Sequence, residues 1–339
     1  MKAKYTIEDI ARLAEVSRGT VSRVLNHHPS VSDETRAKVL EVIEQLDYSP
    51  NYSARHMRTE TSNMVGFVTD EAATTPYAVD LIRGAQETLL KFGKVMLVIN
   101  AGYDSDSTRK SLDVLLERRV EGLIYVTMFH REVELPSQMA RIPVVLANCF
   151  ARDRVLPSVV PDEISGGYNA THALLIKGHR RIAFINLGMA WVSNIAPLPA
   201  SEGRLQGYKQ ALEAFGVPFD ESLLCYTDQR PESNYQLTLE LMSQANPPTA
   251  IFCGNDRTAM GCYNALMTLG LKIPDDVAVV GFDNQIIICE GMYPSLTTVQ
   301  LPHYQMGEWA VRYLMSAQDN PLAPVQHQIE CALVSRQSV

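Results

Sequence analysis

"VSRGTVSRVLN", residues 16–26, is predicted to form a short amphipathic helix that contains no acidic residue. Its apolar side chains, Val16, Val21, Val24 and Leu25, recur at helical spacing, and hydroxyl, amide and guanidinium groups fill the positions between them. The whole chain is acidic, with a formal net charge of −8 at pH 7. The absence of acids on this one helix therefore needs a specific reason.

Two further helices are predicted around this stretch. Thr6 is a favourable N-cap with Asp9 as a capping-box-like partner, Ser17 can cap the helix that follows it, and Ser32 caps a third. Two helices joined by a short turn form the helix-turn-helix layout, whose second helix enters the major groove of DNA. A small three-helix bundle with a solvated polar face is the alternative that these helices leave open.

The polar face of residues 16–26 suits DNA because base edges and phosphates present mostly acceptors. Its side chains are donors of modest size: Arg18, Thr20, Ser22, Arg23 and Asn26. On this interpretation acids are missing because the face meets phosphate. The basic segment "NYSARHMRTETSN", residues 51–63, is either a linker or a segment that folds into a short helix on DNA and inserts Met57 into the minor groove.

Composition and motifs exclude several other classes of protein. The 339 residues suffice for two or three domains, and no apolar run approaches the roughly 20 residues that cross a bilayer. The first residues lack the apolar segment of a secretory signal, so a cytoplasmic location without membrane contact is predicted. The six cysteines form no CxxC and the histidines no HExxH, so buried reduced thiols, no metal and no cofactor are expected. The absence of a P-loop, GxGxxG or GxSxG argues against an enzyme.

Apolar, β-branched runs alternate with helical segments from residue 64 onward. The runs are "MVGFVTD", "KVMLVIN", "GLIYVTM", "PVVLANC", "RIAFINL", "TAIFCGN" and "VAVVGFD". This alternation predicts parallel sheets with helices on both faces, and a division near 161–165 gives two similar α/β halves. Doubly wound sheets bind ligands beyond the carboxyl ends of their strands. A polar cleft between the halves is therefore predicted from the residues that end several runs: Asp70, Asn100, Asn148, Asn255 and Asp283.

The chain resembles the LacI/GalR family of bacterial transcription regulators over essentially its whole length. The resemblance is carried by "TIEDIARLAEVSRGTVSRVLN", "VSDETRAKVLEVIEQLDYSPN", "GHRRIAF", "GRLQGY", "PTAIFCGNDRTAMG", "IPDDVAVVGFDN" and "PSLTTVQLP". Within the family, "TTPYAVDL" and "VVLANCFARDRVLPSVVPDE" look most like the repressors of sucrose-catabolism operons. The resemblance implies an all-α helix-turn-helix head and an α/β core of two doubly wound parallel-sheet subdomains, like the type I periplasmic-binding-protein fold.

The resemblance also implies a division of the chain and an assembly. The helix-turn-helix domain would be 1–48, the hinge helix or linker 49–61, and the effector-binding and dimerisation core 62–339. Within the core, the N-subdomain would take 62–161 and 293–322, and the C-subdomain 162–292 and 323–339. Members are homodimers, and some are tetramers through a C-terminal leucine heptad. The segment "VQHQIECALVSRQSV" has no heptad, so a dimer is favoured.

Candidate DNA contacts follow from the resemblance position by position. Arg18 and Gly19 stand at the two variable specificity positions, and Gly19 has no side chain with which to read a base. Arg23 matches an arginine that reads guanine, and Tyr48 matches the entrance to the hinge. Met57 stands where many members have leucine. The full set of expected contacts with operator DNA is Thr6, Ser17, Arg18, Gly19, Thr20, Ser22, Arg23, Asn26, Tyr48, Asn51, Ala54 and Met57.

Candidate contacts with a sugar effector are implied in the same way. Arg204 matches an arginine that grips hydroxyl or carboxylate groups, and Asp283 matches an acceptor for paired hydroxyls. The residues alone leave alternatives, namely that Arg204 is an ordinary helix surface arginine, that Asp283 caps the next turn and that His303 caps the 303–316 helix. Trp191 lies in an irregular insert, and whether its indole ring stacks on a sugar stays open. The expected effector set is Tyr77, Asn148, Trp191, Arg204, Asn255, Asp283 and His303.

The predicted function is therefore that of a ligand-controlled repressor. A sugar effector such as sucrose or fructose is expected to release a homodimer from a pseudo-palindromic operator that controls a carbohydrate-utilisation operon. Two alternatives stay open: a co-repressor-dependent regulator that binds a different metabolite, and a solute-binding protein without DNA activity.

Overall fold

The computed structural model describes residues 5–25, 28–46, 48, 62–70, 72–76, 79–102, 104–153, 155–188, 198–316 and 323–339. The chain divides into two compact units, 1–62 and 63–339. Several predicted site residues lie outside the described residues, namely Asn26, Asn51, Ala54, Met57, Tyr77 and Trp191. Within the described part of the chain, no helix is both long enough and apolar enough to span a bilayer.

The described residues of the first unit, here called the head, form three helices: α1 (Ile7–Leu13), α2 (Arg18–Leu25) and α3 (Asp33–Gln45). The predicted caps are present, since the Thr6 side chain accepts from the Asp9 amide and the Ser32 side chain accepts from the Thr35 amide. The three helices share one apolar core, whose buried members are Ile10, Ala11, Ala14, Val21, Val24, Val31 and Val39.

The second unit contains two lobes, each with its own sheet. In the described residues the first sheet has the strand order β11-β5-β4-β3-β1-β2, and its neighbours pair in parallel. The strands are β1 (Met64–Thr69), β2 (Val95–Asn100), β3 (Leu123–Val133), β4 (Val144–Ala151), β5 (Ser158–Asp162) and β11 (Gln326–Glu330). Helices α4 (Val79–Lys91) and α11 (His303–Ser316) cover one face, and α5 (Ser105–Glu117) covers the other.

The second lobe repeats this arrangement with the order β12-β10-β9-β8-β6-β7, in which only the β10–β12 pair among the described strands is antiparallel. The strands are β6 (Ile182–Leu187), β7 (Leu224–Thr227), β8 (Ala250–Cys253), β9 (Ala278–Asp283), β10 (Thr297–Gln300) and β12 (Leu333–Val334). The helices are α6 (Glu163–Ile176), α7 (Pro199–Ala214), α8 (Pro231–Met242), α9 (Asp256–Thr268) and α10 (Ile286–Cys289). Helices α6 and α7 cover one face, and α8 and α9 cover the other.

The points at which the chain changes lobe differ from those predicted near its C-terminal end. Segment 293–322 was expected in the first lobe; its helix α11 packs there, but its strand β10 pairs with β9 in the second sheet, where Thr297 lies opposite Val280. Segment 323–339 was expected in the second lobe; its strand β12 pairs with β10 there, but its strand β11 pairs with β5 in the first sheet, where Gln326 lies opposite Ser158. The chain therefore changes sheet after β5, after β10 and after β11, because each strand follows its hydrogen-bonding partner.

Candidate nucleic-acid interface and ligand cleft

Helix α2 turns its polar residues away from the core of the head. Val21 and Val24 are buried, whereas Arg18, Gly19 and Arg23 are exposed. Ser17 begins the helix as predicted, because its Oγ accepts from the amide of Thr20 at 3.1 Å and lies 2.9 Å from the hydroxyl of the same residue. Thr20 and Ser22 are partly buried. The outward face therefore presents two guanidinium groups around a residue without a side chain.

The two arginines of α2 are held differently. Arg18 Nη1 lies 2.6 Å from Oε1 of Glu8 on α1, and both side chains are more than half exposed. Arg23 Nε donates to the carbonyl of Gly19 within its own helix at 3.2 Å. An exposed ion pair is weak, so Arg18 exchanges Glu8 for another anion at little cost. The acid-free sequence of α2 did not reveal Glu8, because that residue arrives from a neighbouring helix.

Thr6 and Tyr48 have structural contacts within the head. The amide of Thr6 donates to Oδ2 of Asp9 at 2.9 Å, which completes the capping box of α1. The ring of Tyr48 packs against the apolar core, and its amide donates to the carbonyl of Ile43 at 3.0 Å. Burial raises the pKa of Tyr48, so its hydroxyl stays protonated at neutral pH.

In the first lobe, polar residues at the carboxyl ends of the strands bind one another. Asn148 is buried with φ +58°, and its Nδ2 donates to the carbonyls of Thr127 and Met128 at 3.0 and 3.1 Å. Asp70 is also buried, and it accepts from the amide of Met128 and from Nη2 of Arg131. Asn148 and Asp70 therefore fix the loop-like middle of β3, where its register with β4 shifts.

Arg204 on α7 is a buried arginine, 3% exposed, so the alternative of an ordinary surface arginine is wrong. Its Nε donates to Oε2 of Glu163 at 2.8 Å, and its Nη1 donates to the carbonyl of Gly254. The guanidinium carbon lies 3.7 Å above the centroid of the Phe282 ring, and Nη2 lies 3.9 Å from Oδ1 of Asp283. The guanidinium is thus held in one orientation at the carboxyl end of the second sheet.

Glu163, which sequence reasoning missed, is the ionic partner of Arg204. Burial by itself raises the pKa of Glu163, but the Arg204 guanidinium and His130 outweigh burial and lower the pKa to about 2. The carboxylate is therefore charged at any physiological pH. One sequence signal indicates a buried role for Glu163: in "PDEISGG" the acid stands beside glycines that permit close packing. The only predicted role of this stretch was the boundary between the two halves.

Asp283 ends β9 in a left-handed backbone conformation, with φ +109°. Its Oδ2 accepts from Nε2 of Gln285 at 3.0 Å, and the cap of the following helix α10 is Gln285, so the alternative of a capping aspartate is wrong. Burial raises the pKa of Asp283 to about 6, against the opposing effect of Arg204 and Arg257. A non-glycine residue at such a φ is unusual and is often found at functional positions.

Asn255 caps α9 and joins a second polar group. Its Oδ1 accepts from the amide of Thr258 at 2.8 Å, and its Nδ2 donates to Oε1 of Gln229 at 3.0 Å. The same Oε1 accepts from Nη2 of Arg257. Gln229 was not predicted, yet its buried Nε2 has no hydrogen-bond partner among the described residues. A buried donor of this kind needs an acceptor, and the described residues do not supply one.

Asp256 is a second missed acid, fully buried beside Asn255. Its two oxygens accept from the hydroxyl of Thr298, the amide of Gln285 and the thiol of Cys289. Burial raises its pKa to about 7. The structure thus brings Arg204, Asp283 and Asn255 together through Gly254, while Asn148 lies in the first lobe and His303 is the buried first residue of α11.

Comparison with known proteins covers both units. Residues 6–51 match the family described as "Bacterial regulatory proteins, lacI family", and residues 62–336 match "Periplasmic binding proteins and sugar binding domain of LacI family". The sucrose operon repressor of Escherichia coli is 34% identical over 98% of each chain, and catabolite control protein A of Priestia megaterium is 33% identical over 96% of this chain and 97% of that protein.

Solved structures agree with these matches. A LacI-family regulator from Rhizobium etli has a TM-score of 0.72 at 33% identity, over 82% of this chain and 99% of that chain. The complex of the transcriptional regulator CelR with cellobiose has a TM-score of 0.69 at 30% identity, over 99% of this chain and 100% of that chain. The lac repressor dimer bound to operator has a TM-score of 0.80 at 23% identity over 99% of each chain, a likeness of fold.

Proposed function

This chain belongs to the lacI family of bacterial regulatory proteins, and from that membership we propose that it represses a carbohydrate-utilisation operon until a sugar releases it from the operator. It is a DNA-binding transcriptional regulator and not an enzyme. The match of residues 6–51 removes the alternative of a solute-binding protein without DNA activity. Its relatives named sucrose operon repressors favour sucrose or fructose as the effector. We place the repressor in the cytoplasm, with its DNA.

For DNA, the proposal rests on the outward face of α2. Arg18 and Arg23 lie exposed on either side of Gly19, so this helix can enter a major groove with both guanidinium groups toward base edges or phosphates. Arg23 is assigned the bidentate guanine contact, which is worth about 1–3 kcal/mol of discrimination between bases. The other proposed contacts within the described residues are Thr6, Ser17, Thr20, Ser22 and Tyr48.

For the effector, the observation that carries the proposal is the oriented guanidinium of Arg204 beside the carboxylate of Asp283. A sugar offers neighbouring hydroxyls that accept from one group and donate to the other, so it satisfies both at once. Asn255 and the buried Nε2 of Gln229 add polar groups at the same carboxyl end of the strands. Tyr77, Asn148, Trp191 and His303 complete the proposed effector set.

We further propose that the chain acts as a homodimer. Large exposed apolar side chains occur in both lobes, and a soluble monomer rarely leaves such faces uncovered. In the first lobe they lie on α4, β2 and α5, namely Leu90, Val95, Val98 and Val114; in the second lobe they lie on β7, α9 and α10, namely Tyr226, Met260, Met267 and Ile287. Two heads at a fixed separation match the two halves of a pseudo-palindrome, with the segment 49–61 as the hinge.

The test is a binding titration of the purified protein with a duplex from its own promoter, followed by fluorescence anisotropy at moderate salt. Tight binding without sugar, and about a 100-fold weaker operator affinity at saturating sucrose or fructose, is the expected result; that factor equals about 3 kcal/mol. A scrambled duplex is the control. Equal affinity for both duplexes refutes the proposal, and tighter operator binding with a metabolite shows a co-repressor instead.

A further inference from the structure

The free oxygen of Glu163 faces the opposite lobe. His130 lies on β3 of the first lobe, and its Nδ1 is 3.6 Å from Oε1 of Glu163, slightly longer than a hydrogen bond. His130 is buried, its ring meets the ring of Phe150 edge-on, and neither of its ring nitrogens has a hydrogen-bond partner among the described residues. Burying an imidazole in this way is costly, so its position needs a reason other than stability.

The location of His130 and Glu163 in the fold supplies a reason for burying the imidazole. Glu163 is the first residue of α6 and follows β5 directly, at a point where the chain passes from the first sheet to the second. Because β3 and α6 belong to different lobes, a change in the angle between the lobes changes the distance between Nδ1 of His130 and Oε1 of Glu163. A shortening of a few tenths of an ångström completes the hydrogen bond.

We propose that Glu163 is the positioning residue of Arg204, and that His130 couples the lobe angle to Arg204 by hydrogen-bonding Glu163 when the lobes close. The inference rests on the proposed function, in which Arg204 grips the effector. The effector then stabilises the Arg204–Glu163 pair, and Glu163 holds the first lobe through His130. A contact made in one lobe arrangement and not in the other contributes directly to the coupling between effector and operator.

Two substitutions at position 130 distinguish the effect of the hydrogen-bond donor from the effect of the side-chain volume. His130→Asn keeps a side-chain amide near the place of Nδ1, whereas His130→Leu keeps a similar volume without a donor. The measured quantity is the release factor, the ratio of operator Kd values with and without saturating effector. We expect H130L to lower the release factor and the effector affinity together by at least about fivefold, because both report the same lobe equilibrium.

The matched variant and the effector-free state provide the controls. H130N should stay within about twofold of wild type, and H130L should bind operator without effector as wild type does. A full release factor in H130L, or an equal defect in H130N, overturns the inference. A loss of operator affinity together with a lower melting temperature in H130L shows a merely structural role and also overturns it.

A double-mutant cycle compares the contact with and without effector. His130→Leu, Glu163→Gln and the double variant are unfolded in urea, and we expect the two substitutions to couple by at least about threefold in the unfolding constant at saturating effector and to be nearly additive without it. If a sugar binds the wild-type protein but does not release it from the operator, the proposed function fails while this cycle still reports on the pair. Additive effects of the two substitutions at saturating effector contradict the coupling between His130 and Glu163.

Discussion

At the scale of the residue, the second lobe contains three carboxyl groups with shifted pKa values, and two of them lie beside the guanidinium of Arg204. Arg204 lies 2.8 Å from Glu163 and 3.9 Å from Asp283, whereas Asp256 accepts its hydrogen bonds from neutral groups. The pKa is about 2 for Glu163, about 6 for Asp283 and about 7 for Asp256, so it is lowest for the carboxylate in direct contact with the guanidinium. Ionic contact thus outweighs burial at one carboxylate only, and the other two stay easier to protonate.

These pKa values predict that the protein is most stable in mildly acidic solution. Asp256 and Asp283 bind protons in the folded state at pH values where the unfolded chain, with a carboxyl pKa of 3.8, does not. The free energy of unfolding should therefore rise as the pH falls from about 8 to about 5. Glu163 stabilises the fold above its unfolded pKa of 4.5, and this contribution is lost at lower pH.

Urea unfolding across this pH range measures the effect. Asp256→Asn cannot titrate at this position, so it should remove much of the rise in stability between pH 8 and 5. A wild-type protein that loses stability steadily over the same interval contradicts the assignment.

Removing the guanidinium should destabilise the second lobe strongly. Arg204→Met leaves Glu163 as a buried charge without its partner, and breaking a buried pair in this way costs about 3–5 kcal/mol. Arg83→Met is the matched control, because Arg83 pairs with Asp80 at 3.1 Å with both side chains more than half exposed. Chemical denaturation should show a large loss for R204M and a much smaller one for R83M. Similar losses in the two variants would falsify the buried pair as a structural element.

At the scale of the element, glycines let α6 and α7 approach until Glu163 and Arg204 meet. A Cβ at Gly207 would lie 2.1 Å from the carbonyl oxygen of Ile164, and one at Gly167 would lie 2.2 Å from the carbonyl oxygen of Arg204. The obstacles are backbone atoms, which cannot turn aside. The close crossing of the two helices is therefore a condition for the ion pair between them.

Gly207→Ala should force the two helices apart. Overpacking of this kind costs about 1–3 kcal/mol, and the displaced Arg204 should also weaken effector binding by more than tenfold. Gly19→Ala on α2 is the control, since a Cβ there meets atoms no closer than 3.6 Å and alanine favours a helix over glycine. Calorimetry should show a lower melting temperature for G207A than for wild type, and no such decrease for G19A. A G207A protein with wild-type stability and effector affinity would show that α6 and α7 accommodate a methyl group at this position without moving apart.

The elements themselves could be predicted from local patterns, but the contacts between distant elements could not. Thr6, Ser17 and Ser32 begin the helices they were expected to begin, because capping is decided within a few residues. Glu163 and Arg204 are 41 residues apart along the chain, and no local sequence pattern sets the distance between their side chains in space. The strand partners of β10 and β11 were missed for the same reason, since pairing order depends on the whole sheet.

At the scale of the whole molecule, each lobe exposes large apolar side chains on its own helices and strands. Ile287 on α10 is 85% exposed and Met267 on α9 is 73% exposed, values that are unusual for such side chains in a monomer. A symmetric contact between two chains would cover both lobes at once and hold the two effector clefts in one assembly. Operator affinity would then depend on protein concentration as well as on sugar.

A charge in the apolar face of the second lobe should separate the proposed dimer. Ile287→Asp is expected to halve the mass measured by analytical ultracentrifugation at micromolar concentration, and to lower operator affinity by at least tenfold. Val155→Asp adds the same charge at a residue that is 59% exposed and lies outside both apolar faces, so it should leave the mass unchanged. An I287D protein that sediments like wild type would place the dimer contact elsewhere.

The parallel pairing of β11 with β5 has a consequence for biosynthesis. Residues 326–330 complete a sheet whose other strands all lie before residue 163, and all of the second sheet except β12 is translated between them. A nascent chain on the ribosome thus carries β5 as an unpaired sheet edge from the synthesis of β5 until that of β11, and such an edge is a template for aggregation. The head is translated before the first lobe and has a core of its own, so it can fold before β11, the last strand of the first lobe, is synthesised.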